Sequence, residues 1–175
     1  SIGYRSHQTY TCGLHVHVNR NAFGKDYDTQ EDAISRIVHF VEIHWNELLK
    51  FSRRTEANMN RWASRYGISN TVKDTYKNAK AKHCGRYVAV NLENYATIEF
   101  RLFRGTLKYK TFLATLQLVD EICNLALKLS DKELESMYWL DFVGQIDSDK
   151  SELIEYLKAK RLYVNEPVEI ETEVE

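Results

Sequence analysis

Hydrophobic and polar residues alternate most clearly near the start of the chain. Within 10–19, Leu14 and Val16 alternate with His15 and His17. A period of two sends successive side chains to opposite faces of a strand. The pattern therefore predicts a β-strand with an apolar face toward the core and a second face that carries both histidines.

Two later segments, 86–92 and 97–103, also have the composition of strands, being rich in β-branched and aromatic residues. The four residues between them, 93–96, resemble a turn. We therefore predict that the two segments form an antiparallel hairpin.

Helical periodicity fills most of the remaining chain. An apolar stripe with a 3.6-residue spacing predicts a helix that begins at the capping sequence 28–31 and ends near Phe51. Further helices are predicted at 56–66, along 112–129, after the capping box at 130–133 and after Asp149. The order of these elements predicts an α+β fold, an antiparallel sheet with helices packed on one face.

Composition narrows the class of protein. The 175 residues suit one domain, and 43% hydrophobic with 28% charged residues is the balance of a globular protein. No apolar run approaches the roughly 18 residues that a bilayer span requires, so we expect no membrane partner. Cys12, Cys84 and Cys123 form no CxxC pair. We expect all three to be buried thiols in a reducing, cytoplasmic setting.

Positive charge is concentrated in residues 50–86. This segment holds ten basic and two acidic side chains, whereas the whole chain has a net charge of −1. Such a block attracts anions, and phosphate is the obvious candidate. A solvated helical face is the alternative for any single lysine within it.

The two histidines are the first candidate site. His15 and His17 are two positions apart on a predicted strand, so their imidazoles point to the same face. Paired neutral imidazoles suit one metal ion or a polyphosphate. A polar sheet face with two ordinary histidines is the alternative, and for this short motif alone it is the commoner case.

The last strand of the predicted hairpin supplies a second candidate site. Glu99 and Arg101 share one face of that strand, while Ile98 and Phe100 face the core. A carboxylate suits Mg²⁺, which is usually bound together with phosphate oxygens and water, and a neighbouring arginine suits an anionic substrate. The alternative is a surface ion pair of little energetic value.

Further arginines flank these positions. Arg86 begins the neighbouring predicted strand and Arg104 ends the last one, so both could converge with Arg101 on phosphate oxygens. Arg53 and Arg54 follow the long helix, where the helix dipole alone favours cations. They are either part of an anion site or ordinary residues at a helix end.

Four separated blocks together carry a family resemblance that no single motif carries. They are 10–19 (YTCGLHVHVN), 51–54 (FSRR), 86–92 (RYVAVNL) and 97–106 (TIEFRLFRGT). Over residues 10–130 the chain resembles the amidoligase family, which is common in bacteriophages and is grouped with glutamine synthetase and glutamate–cysteine ligase. The resemblance implies the C-terminal part of a glutamine-synthetase-like catalytic fold, with ATP and Mg²⁺ as cofactors.

The resemblance also implies roles for individual residues. His15 would be a metal ligand and His17 would lie beside the nucleotide phosphates. Glu99 would be a second metal ligand, Arg101 would bind the substrate carboxylate or acyl phosphate, and Arg86 would contact the γ-phosphate. By a looser match, Arg104 joins the phosphate contacts and Asn91 the substrate contacts. The reaction would join a small-molecule or peptide carboxylate to an amine.

The resemblance is incomplete in one respect. The family uses further acidic residues on earlier strands, including a Glu-x-Glu strand, and nothing before Tyr10 supplies them. We therefore divide the chain into a ligase-like domain, 1–165, that lacks these N-terminal strands, and an acidic tail, 166–175. We expect an N-terminal portion to be missing and the chain alone to be an incomplete enzyme. The tail could donate acids, but solvated disorder is far commoner for such a terminus.

Two alternatives to a ligase stay open at this point. A degenerate ligase scaffold from a phage could act as a non-catalytic module that binds or inhibits a host protein. The basic segment 50–86, with its interleaved aromatic residues, could instead bind nucleic acid, although we do not favour this partner.

Overall fold

The computed structural model describes residues 13–82 and 85–163 and has an α+β architecture. Within this part of the chain, three strands form an antiparallel sheet in the order β1 (Gly13–Asn19), β3 (Thr97–Arg104), β2 (Val90–Asn91). The central strand, β3, pairs with both neighbours. The predicted antiparallel sheet and α+β class are therefore confirmed.

The register of the sheet decides which side chains meet. His17 pairs with Glu99 across β1 and β3, and Asn91 pairs with Glu99 across β2 and β3. The register shifts between Leu14 and Val16, so His15 lies at an irregular step of β1. Such a bulge changes the direction of a side chain relative to a regular ladder.

Helices account for most of the remaining described residues. They are α1 (Tyr27–Ile43), α2 (Trp45–Ser52), α3 (Glu56–Trp62), α4 (Val72–Ala81), α5 (Tyr109–Lys128), α6 (Asp131–Glu135), α7 (Trp139–Gly144) and α8 (Ser151–Ala159), with a short 3₁₀ helix at Arg20–Phe23. The capping box predicted before α6 is present, because Ser130 and Glu133 exchange both hydrogen bonds.

The single helix predicted from 28 to about 51 is wrong in two respects. The side chain of Asp26, rather than a residue of 28–31, caps its start by accepting from the Thr29 amide. The helix also breaks at His44, whose φ of −103° and ψ of 31° are not helical. His44 packs against Phe40, with ring centroids 4.6 Å apart, so the break orients an aromatic cluster that the apolar spacing alone does not reveal.

The predicted strand 86–92 is too long, because only Val90–Asn91 form β2, although β2 pairs antiparallel with β3 as predicted. The preceding residues pair mainly with residue 64: Ser64 donates to the carbonyl of Tyr87, and Ala89 donates to the carbonyl of Ser64. The carbonyl of Ala89 still accepts from the amide of Arg101 in β3. Arg86 therefore lies in a turn after Gly85, which has a φ of 62°. A long-range pairing with residue 64 replaces the local ladder that the composition favours.

The sequence pattern did not predict two of the helices, α4 and α7. In α4 only Val72, Thr75, Tyr76 and Ala79 are buried, which is a narrow and largely polar stripe. In α7, six residues are too few to display a period.

A continuous hydrophobic core joins the sheet to the helices. Ile98, Phe100 and Leu102 of β3 are fully buried in it, together with Ile34 and Leu48 of the first two helices. Cys123 is buried as expected, and burial raises the pKa of its thiol to about 12. Cys12, Cys84 and the tail lie outside the described residues. None of the helices in 13–82 and 85–163 combines the length and apolar character needed to cross a bilayer.

Candidate functional site

Glu99 lies at the centre of a cluster of polar side chains on one face of the sheet. Its Oε1 atom is 2.8 Å from Nδ1 of His15, 3.6 Å from Nε2 of His17 and 2.7 Å from Nη1 of Arg101. Its Oε2 atom accepts a hydrogen bond of 2.8 Å from Nδ2 of Asn91. Alternation on β1 and β3 predicts this shared face, and the antiparallel pairing of the strands brings the four neighbours to one carboxylate.

The Glu99–Arg101 pair is buried rather than exposed. Only 6% of Glu99 and 9% of Arg101 is accessible to solvent, so the surface ion pair considered as an alternative is not what forms. Burial by itself would raise the pKa of the Glu99 carboxyl, but the Asn91 hydrogen bond and the Arg101 charge outweigh it. The pKa therefore lies below its ordinary value, and the carboxylate is ionised at neutral pH.

His15 is held in one tautomer by this carboxylate. Two groups contact Nδ1 of His15: the acceptor Glu99 at 2.8 Å and the donor Arg101 at the longer distance of 3.4 Å. We assign the proton of neutral His15 to Nδ1 on the shorter contact, which leaves the lone pair on Nε2. Burial, followed by the charge of Arg101, lowers the pKa of His15 below its ordinary value, which favours this neutral form. A carboxylate that accepts from one ring nitrogen is the usual support for a histidine whose other nitrogen binds a metal.

His17 is the more accessible of the two histidines. Its side chain is 49% exposed, and its Nδ1 atom is 3.1 Å from the hydroxyl of Thr97. Thr97 is a site residue that the sequence analysis did not identify. Its position on the same face of β3 as Glu99 and Arg101 was the available signal.

Arg101 packs against an aromatic ring that was also missed. Its guanidinium carbon lies 5.6 Å from the ring centroid of Tyr87, and its Nε atom is buried without a hydrogen-bond partner among the described residues. Arg86 stacks on the same ring at 5.2 Å and donates to the Tyr87 hydroxyl at 3.1 Å. Tyr87 therefore bridges the buried arginine and an exposed one.

Arg86 is a peripheral member of the site. It is exposed and does not lie on β2, contrary to its predicted place in a strand. Its pKa is raised mainly by the hydrogen bond to Tyr87, with a smaller contribution from the charge of Glu99. Arg86 thus lies on the solvent side of the cluster, where its long side chain can point toward the cluster.

Asn91 has a structural task in the site. Its amide nitrogen donates to Glu99, and its Oδ1 atom accepts from the backbone amide of Glu93 at 3.0 Å. These two bonds fix the orientation of the amide and position the carboxylate. The substrate contact predicted for Asn91 would have to compete with them.

Arg53 and Arg54 reach from the end of α2 to the end of β3. Arg53 donates to the carbonyl of Arg104 at 2.5 Å, and Arg54 donates to the carbonyl of Phe103 at 3.1 Å. Arg53 has a φ of 62°, a left-handed conformation that costs a residue other than glycine about 1 kcal/mol. The structure therefore brings together, at one end of the sheet, the three predicted phosphate contacts Arg53, Arg54 and Arg104.

Because Gly13 has no side chain, Arg54 and His15 can both lie close to the backbone of β1. A Cβ atom at Gly13 would lie 2.7 Å from Nη2 of Arg54 and 2.9 Å from Nε2 of His15. Both atoms thus approach the same point beside the backbone of β1. A side chain at this position would displace at least one of them.

Three of the ten basic side chains in segment 50–86 form ion pairs with carboxylates of the described residues. Arg65 bonds to Glu42 at 3.0 Å and Lys80 to Glu31 at 2.6 Å, while Lys73 contacts Asp32 and Lys82 contacts a backbone carbonyl. These ion pairs lower the positive charge that the segment could offer to a nucleic-acid backbone. They do not favour the nucleic-acid alternative.

A cavity of about 780 Å³ opens at the other end of the sheet, next to Asn19. Its lining includes Glu31 and Lys80, whose ion pair also contacts the hydroxyl of Tyr27. Asn19 is two positions from His17, so the cavity continues the histidine face of β1. No local pattern in the sequence reveals the cavity, because its walls come from helices α1 and α4 and from the connection 93–96.

The side chains around Glu99 are better suited to bind phosphate oxygens than to bind a metal ion that has no other ligands. Among residues 13–82 and 85–163, no three His, Cys, Asp or Glu side chains are arranged to hold a metal by themselves. Mg²⁺ prefers oxygen ligands, and the carboxylate of Glu99 already accepts three hydrogen bonds. The residues therefore fit a metal ion that brings most of its ligands with it as nucleotide oxygens and water.

Comparison of the chain with protein-family models, with curated proteins and with solved structures found no match in any of the three.

Proposed function

We propose that the chain carries part of the active site of an ATP-dependent carboxylate–amine ligase. The proposal is supported by the four sequence blocks and by one geometric observation: His15, His17, Arg101 and Asn91 all meet the carboxylate of Glu99 on one face. In this proposal the sheet is the C-terminal part of a glutamine-synthetase-like catalytic fold. Acidic ligands from another segment would complete the site.

The chemistry requires two displacements. A carboxylate oxygen attacks the γ-phosphorus of ATP, the bond to the bridging oxygen breaks, and ADP leaves. The amine nitrogen then attacks the acyl carbon, the bond from that carbon to the phosphate oxygen breaks, and the amine loses its proton as phosphate leaves. No protein nucleophile is needed, so catalysis consists mainly of positioning and charge neutralisation.

The residues of the cluster can supply that neutralisation. Arg101, held by Glu99 and Tyr87, presents a fixed positive charge to an acyl phosphate. Arg86 can approach the same point from solvent, and His15 keeps its Nε2 lone pair free as a ligand. Magnesium carried by the nucleotide would supply further neutralisation at the phosphate oxygens.

The remaining arginines extend the charged surface along β1. Arg53, Arg54 and Arg104 lie at its Gly13 end, whereas the cavity lies at its Asn19 end. The cavity is of the size that holds an organic ligand, so it gives room for the non-phosphate part of a nucleotide or substrate.

Calorimetric titration of the full-length protein with ATP, with and without Mg²⁺, tests the proposal. We expect Mg²⁺-dependent binding that weakens about tenfold or more in His15→Ala and in Glu99→Gln, because each loses a charge-assisted contact. Glu155→Gln is the matched control, since Glu155 forms an exposed ion pair with Lys110. Absence of Mg²⁺-dependent nucleotide binding would remove the ligase and leave the non-catalytic binding module.

A further inference from the structure

Two consecutive arginines at the end of α2 are held in place by the backbone of another element. Arg53 and Arg54 donate to the carbonyls of Arg104 and Phe103, which are successive residues at the end of β3. A helix C-terminus attracts cations to its own carbonyls. Here the guanidinium groups bond across to the sheet instead, so stabilisation of α2 does not account for their placement.

Neither of these arginines is neutralised within the described part of the chain. No carboxylate oxygen of residues 13–82 and 85–163 lies within 4.0 Å of Arg53 or Arg54. The charged groups that act on Arg54 are Arg53, Arg101 and Arg104, all of them cationic. Burial, and then this repulsion, lowers the pKa of Arg54 below its ordinary value.

The cluster also contains buried donors that have no acceptor. The Nε atoms of Arg54 and Arg101 are both buried without a hydrogen-bond partner among the described residues. Arg101 as a whole is only 9% exposed, whereas Arg53 and Arg54 are partly exposed and so remain open to solvent on one side. Placing Arg53 and Arg54 side by side, close to two further guanidinium groups, is electrostatically unfavourable, and a bound anion relieves the repulsion.

We infer that Arg53 and Arg54, beside Arg104 and Arg101, form an oxyanion-binding site at the Gly13 end of the sheet that fills without nucleotide or metal. The planar fork of a guanidinium group matches two oxygens of a phosphoryl group or of a carboxylate. The bonds to the β3 carbonyls hold two such forks in advance, so little ordering accompanies binding. Nη2 of Arg54 and Nε2 of His15 both lie within 2.9 Å of the position that a Cβ atom at Gly13 would take, so the arginine site adjoins His15.

The inference deepens the proposed function. The role of the anion site in a ligase rests on that function, whereas the ability to bind an anion does not. In a ligase, a site of this kind would hold either the phosphate that is released or a second acidic group of the carboxylate substrate. Anion binding itself is independent of ATP and Mg²⁺. The two proposals can therefore fail separately.

Titration of the full chain with inorganic phosphate, in EDTA and without nucleotide, tests the inference. The ionic strength is kept constant with KCl, and binding is followed by calorimetry and by the shift in melting temperature. We expect saturable binding at one site. Malonate, a small dicarboxylate, is then added as a competitor: displacement of phosphate identifies a site that also accepts carboxylates, and its failure to displace phosphate identifies a phosphoryl site.

Charge-matched variants separate this site from general electrostatics. Arg54→Gln should weaken phosphate binding at least tenfold, and Arg54→Lys should weaken it several-fold because it keeps the charge but loses the fork. Arg61→Gln removes the same charge from an exposed arginine that stacks on Trp62 at 4.9 Å, and it should leave binding unchanged. Non-saturable binding by the wild type, or equal losses in Arg54→Gln and Arg61→Gln, would overturn the inference. Should Arg54→Gln fail to fold, Arg54→Lys and the wild-type titration still decide it.

Discussion

The hydrogen bonds of Glu99 decide which atoms of the site are open to a ligand. Its Oε1 atom accepts from His15 and Arg101, whereas Oε2 accepts from Asn91 and keeps capacity for one further contact. The Nε2 atom of His15, the exposed half of the His17 side chain and the outer edges of the arginines also stay open. At the scale of single residues, Glu99 is thus a positioning group for its neighbours, and Oε2 is its oxygen with room for a ligand.

Gly13 provides a test at this scale. Gly13→Ala should displace Arg54 or His15, because the new Cβ would lie 2.7 Å and 2.9 Å from their nitrogen atoms. We expect phosphate affinity to fall about tenfold, while the free energy of unfolding changes by less than about 1 kcal/mol, since alanine is no worse than glycine in a strand. Calorimetry and urea denaturation measure the two quantities.

Gly144→Ala is the control for this substitution, because a Cβ at Gly144 meets no atom within 4 Å. It should leave phosphate affinity unchanged and raise the free energy of unfolding by at most about 1 kcal/mol, because alanine favours a helix more than glycine does. Unchanged phosphate binding in Gly13→Ala would show that Gly13 does not control the approach of Arg54 and His15.

At the scale of elements, the short helix α6 connects α1 and α4 through hydrogen bonds. Asp131 of α6 accepts from Arg36 of α1 at 2.7 Å, and Glu135 accepts from the backbone amide of Val72 at the start of α4 at 2.7 Å. A five-residue helix has little stability of its own, so its cap matters for both contacts. The Ser130–Glu133 capping box therefore supports the packing of three helices.

Ser130→Ala should lower the free energy of unfolding by about 1 kcal/mol, because it removes the side chain that accepts from the Glu133 amide. Urea denaturation gives the value. Ser151→Ala, which changes an exposed serine in the first turn of α8, should have a smaller effect. Phosphate binding should be the same in both variants, since the side-chain hydrogen bonds of Ser130 and Ser151 in the described structure are to Glu133 and Glu152. Equal losses of stability in the two variants would mean that the capping box does not contribute to the free energy of unfolding.

At the scale of the whole molecule, a buried histidine links stability to pH. His44 packs between Phe40 and Trp139, with ring centroids 4.6 Å and 5.5 Å away, and its Nε2 atom has no partner among the described residues. Burial lowers the pKa of His44 to about 4, whereas in the unfolded chain it has the ordinary value of 6.5. Between these two values the unfolded state binds more protons, so stability is complete above pH 6.5 and falls as the pH drops toward 4.

His44→Phe should remove this component of the pH dependence. We expect wild-type stability to fall by up to about 3 kcal/mol between pH 7 and pH 4 through His44, and the variant to lose correspondingly less. Carboxylates with lowered pKa values, such as Glu99, destabilise both proteins in the same direction at acid pH. Urea denaturation at several pH values measures the difference, and parallel pH profiles for the two proteins would contradict the assignment to His44.

The sequence by itself determined the strands and helices whose side chains repeat over many residues, such as β1, β3 and α5, and the common face of His15, His17, Glu99 and Arg101. It did so because the direction of a side chain along a regular strand or helix is a local property. Tertiary structure alone decided the break at His44, the shortness of β2, and the meeting of Arg53 and Arg54 with carbonyls 51 and 49 positions away. These features depend on which distant backbone groups come within hydrogen-bonding distance, and no local periodicity encodes that.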